Sequence, residues 1–317
     1  MKILVTGGAG FIGSNVVDGY IEAGHEVVVV DNLFTGKREN LNPKAKFYEI
    51  DIRSKELLDI FKAEKPEVVN HHAAQISVPG SVKDPIFDAE VNVLGFLNVL
   101  EVVRQSEVRK VIFISSGGAI YGEADEYPTT EAYQPQPLSP YAITKAVSEN
   151  YLNFYSRQYG LDYTTLRYAN VYGPRQIPNG EAGVVAIFMD NLLSGTPSTL
   201  FHFADEPRGM TRDYCFAGDV ARANLLALET GNGIAFNIGT TVATHTAELY
   251  AATYAVAKEA VPGLSAELET LKTAAARPGD LTKSSLNAER ARSGLGWEPQ
   301  VDLKEGLRRT LEWRMNR

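Results

Sequence analysis

The 317-residue chain holds a single cysteine, Cys215. An internal disulfide and a cysteine-based zinc site are both excluded, no metal is expected, and a reducing compartment fits. Basic residues are outnumbered, 31 Lys and Arg against 39 Asp and Glu for a net charge of -8, so there is no cationic footprint for a nucleic-acid backbone. No apolar run approaches the ~18 residues of a membrane helix. The opening Met1-Lys2-Ile3-Leu4-Val5-Thr6 breaks into glycine too early for a signal peptide. With 44% hydrophobic and 22% charged residues, the composition predicts an ordinary soluble protein of the cytoplasm, without nucleic-acid or membrane partners. At about 150 residues per domain, the length suggests about two domains.

The first half alternates short β-rich runs with longer amphipathic stretches, the pattern of a parallel sheet covered by helices. Strands are predicted over Lys2 to Thr6, Glu26 to Asp31, Lys46 to Asp51, Glu67 to Ala73, Lys110 to Ser115 and Asp162 to Tyr168. Helices are predicted over Phe11 to Ala23, Ser54 to Ala63, Pro85 to Gln105 and Pro140 to Tyr159, with Ser54 and Ser139 as N-caps and Gly160 as an exit. Beyond Gly173-Pro174 the alternation fades. The expected fold is α/β, a Rossmann-type doubly wound parallel sheet over residues 1–170 with a smaller C-terminal substrate-binding domain over 171–317. The segment from about 214 to 240 is expected to return to the first sheet.

Gly7, Gly10 and Gly13 stand in a G-x-x-G-x-x-G spacing between the first strand and the first helix. Absent Cβ atoms let a pyrophosphate approach backbone N–H groups at a helix N-terminus, which predicts a dinucleotide site. Asp31 ends strand two, where a carboxylate can accept hydrogen bonds from both ribose hydroxyls and would repel a 2′-phosphate. That favours NAD over NADP, and the alternative is a turn residue before Asn32. Asp51 and Ile52 would lie near the adenine. Tyr141 and Lys145 form a Y-x-x-x-K pair, one turn apart on a capped helix, where an ammonium favours the phenolate of its neighbour. Ser115 and Ser116 end strand five, at the sheet edge where open α/β folds bind ligands.

The glycine fingerprint, the Ser115-Ser116-Gly117-Gly118 segment and the Y-x-x-x-K helix, in that order, resemble the extended short-chain dehydrogenase/reductase family over nearly the whole chain. His72-Ala73-Ala74, Asn92 and Leu166 through Arg175 add to the likeness. Within the family the chain is most similar to UDP-glucose 4-epimerases. The resemblance implies that Ser116 and Tyr141 contact the sugar 4-hydroxyl and that Lys145 binds the nicotinamide ribose and lowers the tyrosine pKa. Ser115 is the second candidate for the serine. It also implies contacts to NAD from Phe11, Ile12, Asn32, Ala73, Ala74, Asn92 and Tyr168.

Dehydratases of the family carry an Asp-Glu pair after the strand-five hydroxyl, where this chain reads Gly117-Gly118-Ala119. No acid and base stand ready there to eliminate water. The resemblance further implies that Asn170, Arg212 and Arg277 hold the UDP pyrophosphate, that Gly183, Val184 and Val185 lie under the uracil, that Asp280 meets a ribose and that Ser284 borders the hexose 2-position. The expected activity is NAD-dependent C4 epimerisation of UDP-glucose and UDP-galactose, extending to UDP-N-acetylhexosamines if Ser284 leaves room. A 4,6-dehydratase, a 4-ketoreductase or a non-catalytic NAD-binding sensor are the alternatives. A homodimer through the helices near Pro85 to Gln105 and Pro140 to Tyr159 is expected, with Val91, Leu94, Leu97 and Val102 as one apolar series. Packing of that series on the sheet is the other reading.

Overall fold

The computed structural model describes residues 1–178, 183–276 and 281–316. Seven parallel strands form the central sheet in the order Ile234–Ile238, Asp162–Tyr168, Lys110–Ser116, Val68–His71, Lys2–Thr6, Glu26–Asp31, Lys46–Glu49. Covering helices bury both faces, so the strands read as continuous apolar runs rather than as an alternation. Ile3, Val5, Val27 and Val29 enter one core, with Val16, Val17 and Tyr20 of the helix Phe11–Glu22. Leu4, Val28 and Val30 enter the other, with Phe61, Phe96 and Val99. Chain order reverses between Lys2–Thr6 and Val68–His71, which opens a crevice at their carboxyl ends.

A third core gathers Tyr172, Phe188, Met189, Tyr214, Tyr250 and Leu307. Beside it the strand Thr211–Phe216 pairs with Asn170–Tyr172, Ala243–His245 and Lys283–Ser284. Three stretches distant in sequence thereby converge on one strand. Leu286, Ala291, Leu295 and Trp297 pack back into the first core, a return that no local periodicity signals.

Two local expectations are corrected. Ser54 does not cap its helix, which begins at Leu57; its hydroxyl accepts from the Glu56 N–H inside a preceding turn. The long helix expected over Pro85 to Gln105 is divided into Pro85–Ala89, a π-turn at Glu90–Gly95 and Phe96–Arg104. The wider turn coincides with Gly95, where a Cβ would come within 2.8 Å of Ile52, and with the buried amide of Asn92. It also splits the apolar series: Val102 lies in the core, Leu97 packs partly on it and Leu94 faces outward. The helix Pro140–Tyr159 starts and ends as expected, with the Ser139 hydroxyl accepting from Ala142 N–H at 3.2 Å and Gly160 in the left-handed region at φ 72°.

Candidate active site

A cavity of about 490 Å³ fills the crevice, lined by Gly7, Gly10, Phe11, Ile12 and Gly13 along with Asp31, Asn32, Asp51 and Ile52. Ala73, Ala74, Ser115, Ser116, Tyr141, Lys145 and Tyr168 complete the lining that sequence reasoning anticipated. Asn92 is not among the lining residues. It lies behind them, where its Nδ2 donates to Gln75 O at 3.0 Å and its Oδ1 accepts from Gln75 N–H at 2.8 Å, and so it braces the loop after Val68–His71.

Gly7 adopts φ 70°, and a Cβ on it would lie 2.6 Å from Ala73 N. No side chain caps the helix Phe11–Glu22, whose N-cap is Gly10, so its first N–H groups face the cavity end of the fold. This cradle suits a pyrophosphate. Asp31 Oδ2 accepts from Ala9 N–H at 3.0 Å and Oδ1 from Leu33 N–H at 2.8 Å. Each oxygen retains a lone pair, so the turn role leaves the carboxylate able to accept further hydrogen bonds. Asp51 is held by Arg53 and Asn32, and the Arg53 guanidinium draws its pKa down to about 2.

Tyr141 and Ser116 line the cavity together, with the serine close enough to the phenol to favour its ionised form. Enclosure by protein pushes the Tyr141 phenol up to about 12, which outweighs the lowering effect of Ser116. Lys145 Nζ donates to Ile114 O at 2.8 Å and sits 5.9 Å from the centroid of the Tyr141 ring. Burial lowers its pKa to about 8. Without ligands, the Lys145 ammonium gives one of its three N–H donors to a strand carbonyl, and desolvation dominates the phenol. Gly117 explains why the serine stands at 116, because a Cβ at 117 would fall 2.4 Å from Leu286 Cδ1.

Gly118 links this centre to the second lobe. A Cβ there would be 3.4 Å from Asn170 Oδ1 and 3.9 Å from Ser284 Oγ, so both expected sugar-side residues lie beside this glycine. Arg212, opposite Ser284 in the strand register, donates to Leu281 O at 2.7 Å. Gly183, at φ 87°, begins the helix Val184–Leu193; Val185 is buried in the third core and Val184 packs on it. Arg277 and Asp280 lie outside the described residues.

Three polar atoms near the cavity stand out, and of their residues sequence reasoning missed Gln176 alone. Ser115 Oγ, His72 Nδ1 and Gln176 Oε1 are buried without hydrogen-bond partners among the described residues, in side chains that line the cavity. Burial drives the His72 imidazole to about 3, so it is neutral. Such groups call for a polar ligand. Gln176 follows Gly173-Pro174-Arg175, and that loop context was its one signal. Among the described lining residues the carboxylates are Asp31 and Asp51, both on the far side from Tyr141 along the dinucleotide cradle. No cluster of three metal-ligating side chains occurs among the described residues, and no helix there is long and apolar enough to cross a membrane.

The family model for the NAD dependent epimerase/dehydratase family matches residues 3–239. The UDP-glucose 4-epimerase of Mycolicibacterium smegmatis is 45% identical over 323 residues, covering 100% of this chain and 99% of the relative. Among solved structures, a UDP-glucose 4-epimerase of Thermotoga maritima with UDP-glucose is 49% identical at a TM-score of 0.92, covering 100% of this chain and 99% of its own. A UDP-glucose 4-epimerase of Thermus thermophilus in complex with NAD is 45% identical at a TM-score of 0.91, with 99% of each chain covered.

Proposed function

The chain belongs to the NAD dependent epimerase/dehydratase family, and from that membership we propose that it is an NAD-dependent UDP-hexose 4-epimerase interconverting UDP-glucose and UDP-galactose through a 4-keto sugar. The observation that carries this reading is that Ser116, Tyr141 and Lys145 line one cavity with the dinucleotide cradle, and that the carboxylates among its described lining residues are Asp31 and Asp51. Elimination of water needs an acid and a base beside C5 and C6, and Gly117 and Gly118 occupy those places.

NAD, when bound, supplies the reversible two-electron acceptor that oxidation at C4 requires. Tyr141 takes the proton of the 4-hydroxyl and later returns it, while Ser116 hydrogen-bonds the same oxygen. Lys145 holds a positive charge beside them. The small Gly118 stands where the 4-keto sugar would present its other face. Asp31 selects NAD by receiving the ribose hydroxyls, and Asn170 and Arg212 hold the diphosphate, with residues 1–170 binding cofactor and 171–317 binding substrate. We place the reaction in the cytoplasm, whose reducing conditions suit the single free cysteine, Cys215.

Incubating the purified protein with UDP-galactose and following the anomeric NMR signals tests this directly. Appearance of UDP-glucose without net NADH supports it; loss of water or stoichiometric NADH would replace it with a dehydratase or a reductase, and no reaction across a UDP-hexose panel would leave a binding protein.

Substrate breadth turns on Ser284. It is buried against the space beside Gly118, and a small side chain there leaves room for an N-acetyl group at the hexose 2-position. Ser284→Tyr should lower turnover of UDP-N-acetylglucosamine by about 10- to 100-fold more than that of UDP-glucose, through a clash confined to one substrate. Equal losses on both substrates, or no N-acetyl activity in the parent, would defeat the assignment.

We also propose a homodimer through the Pro85–Arg104 and Pro140–Tyr159 region, where Leu94, Ile143 and Phe154 are 58%, 47% and 49% exposed. Sedimentation at micromolar protein should give twice the chain mass. A concentration-independent monomer there would contradict it.

A further inference from the structure

Behind the catalytic helix lies an ionisable group that the proposed chemistry does not use. Asp88 is 0% exposed. Its Oδ2 accepts from Thr144 Oγ1 at 2.9 Å, and its Oδ1 accepts from Gln75 Nε2 at 2.8 Å and from Asn92 Nδ2 at 3.1 Å. Thr144 stands between Tyr141 and Lys145 on the helix Pro140–Tyr159, and Gln75 lines the cofactor cavity. One carboxylate therefore ties the catalytic helix to the loop beside the dinucleotide. No described cation lies within ion-pair distance of it, although a fully buried carboxylate ordinarily has one.

We propose that Asp88 is a positioning residue of the active site: its carboxylate is the buried counter-charge that keeps Lys145 an ammonium, and its three hydrogen bonds hold the Tyr141–Lys145 turn against the cofactor loop. The inference rests on the catalytic reading of Tyr141 and Lys145 only for its kinetic consequence.

The surroundings of Lys145 leave Asp88 as its chief support. Glu149, on the same helix, also favours the ammonium, but its two oxygens are engaged by Arg167 at 3.0 and 2.6 Å. His71 and His72, from the end of the neighbouring strand, are both held neutral by burial and add no charge. Ser116 and the Ile114 carbonyl contribute dipoles. Burial raises the pKa of Asp88 itself, while Lys145 lowers it in return. The same negative charge disfavours the Tyr141 phenolate. Removing it therefore moves both groups in one direction, toward lower pKa.

Competitive acetylation of the full chain by acetic anhydride across pH, with the Lys145 peptide quantified by mass spectrometry, reads that amine without requiring turnover. In Asp88→Asn the midpoint of Lys145 labelling should fall by about one pH unit. Both limbs of the kcat profile for UDP-galactose should shift toward acid by a similar amount. Thr144→Val removes one hydrogen bond but keeps the charge, so it should leave the midpoint and the limbs in place. Should Asp88→Asn fail to fold, Asp88→Ser is a smaller variant with the same loss of charge. An unmoved Lys145 midpoint, whatever happens to kcat, would reduce Asp88 to a structural role and overturn the proposal. A falling midpoint in a protein whose parent turns over no UDP-hexose would sustain the counter-charge and sink the epimerase reading instead.

Discussion

Tyr141→Phe should retain NAD and UDP-sugar binding and lose about 10²- to 10⁴-fold in kcat, the usual worth of a positioned proton acceptor. The substitution removes one oxygen and leaves the ring, so the cavity wall keeps its shape. What disappears is the hydroxyl beside Ser116 at the proposed site of the sugar oxygen. Ser116 alone is no substitute, because an aliphatic hydroxyl is a far weaker acid than a phenol and its ionised, proton-accepting form is out of reach near neutral pH. NAD affinity by titration calorimetry and kcat by NMR separate binding from chemistry, and a near-normal kcat would take tyrosine out of the mechanism.

The parent enzyme should also show an alkaline limit. Lys145 has a lowered pKa of about 8, so its ammonium is present below that pH and lost above it. If the positive charge supports proton transfer, kcat/KM should fall as pH rises through about 8. The phenol at about 12 is almost wholly protonated at neutral pH in the ligand-free chain, which makes bound ligands part of its activation.

The parallel sheet was legible because each strand is covered on both faces and therefore appears as an unbroken apolar run, as in Glu26–Asp31. The dinucleotide cradle was legible for a different reason: only glycine satisfies its close approaches, and three glycines at fixed spacing leave a mark that survives without context. The second lobe left no such mark. Ser284 comes beside Gly118 because Lys283–Ser284 pairs with Thr211–Phe216, a contact between segments far apart along the chain that no local pattern encodes. Asp88 and Asn92 did carry a faint signal, two polar side chains four apart on a helical face that otherwise packs inward. Their partners Gln75 and Thr144 come from other elements, so the network could be seen only after folding. Asn92 likewise acts through folding, since it braces the cofactor loop through both its amide atoms.

Gly13→Ala should abolish tight NAD binding, lowering affinity about 100-fold or more and stability by about 1–3 kcal/mol. The added methyl would sit 2.2 Å from Gly7 O, a backbone atom, well inside van der Waals contact. Gly7 has nowhere to retreat. Its N–H donates to Val30 O at 2.8 Å, its carbonyl accepts from Gly10 N–H at 3.1 Å, and its own Cα already leaves no space for a side chain against Ala73. Relief must come from the helix Phe11–Glu22 moving away from the turn, which withdraws the N–H groups that the pyrophosphate would meet. Gly19→Ala, in the same helix, is the control. Its Cβ would lie 3.5 Å from Ala221 Cβ, an ordinary contact, and replacing a helical glycine by alanine favours the folded state by up to about 1 kcal/mol. Calorimetric NAD titration and thermal unfolding of both variants read the two effects side by side. Parent-like NAD affinity in Gly13→Ala would mean that the glycine turn is a structural feature and that the dinucleotide is held elsewhere. If both variants lost affinity alike, general disturbance of the helix, rather than the Gly7–Gly13 approach, would be the cause.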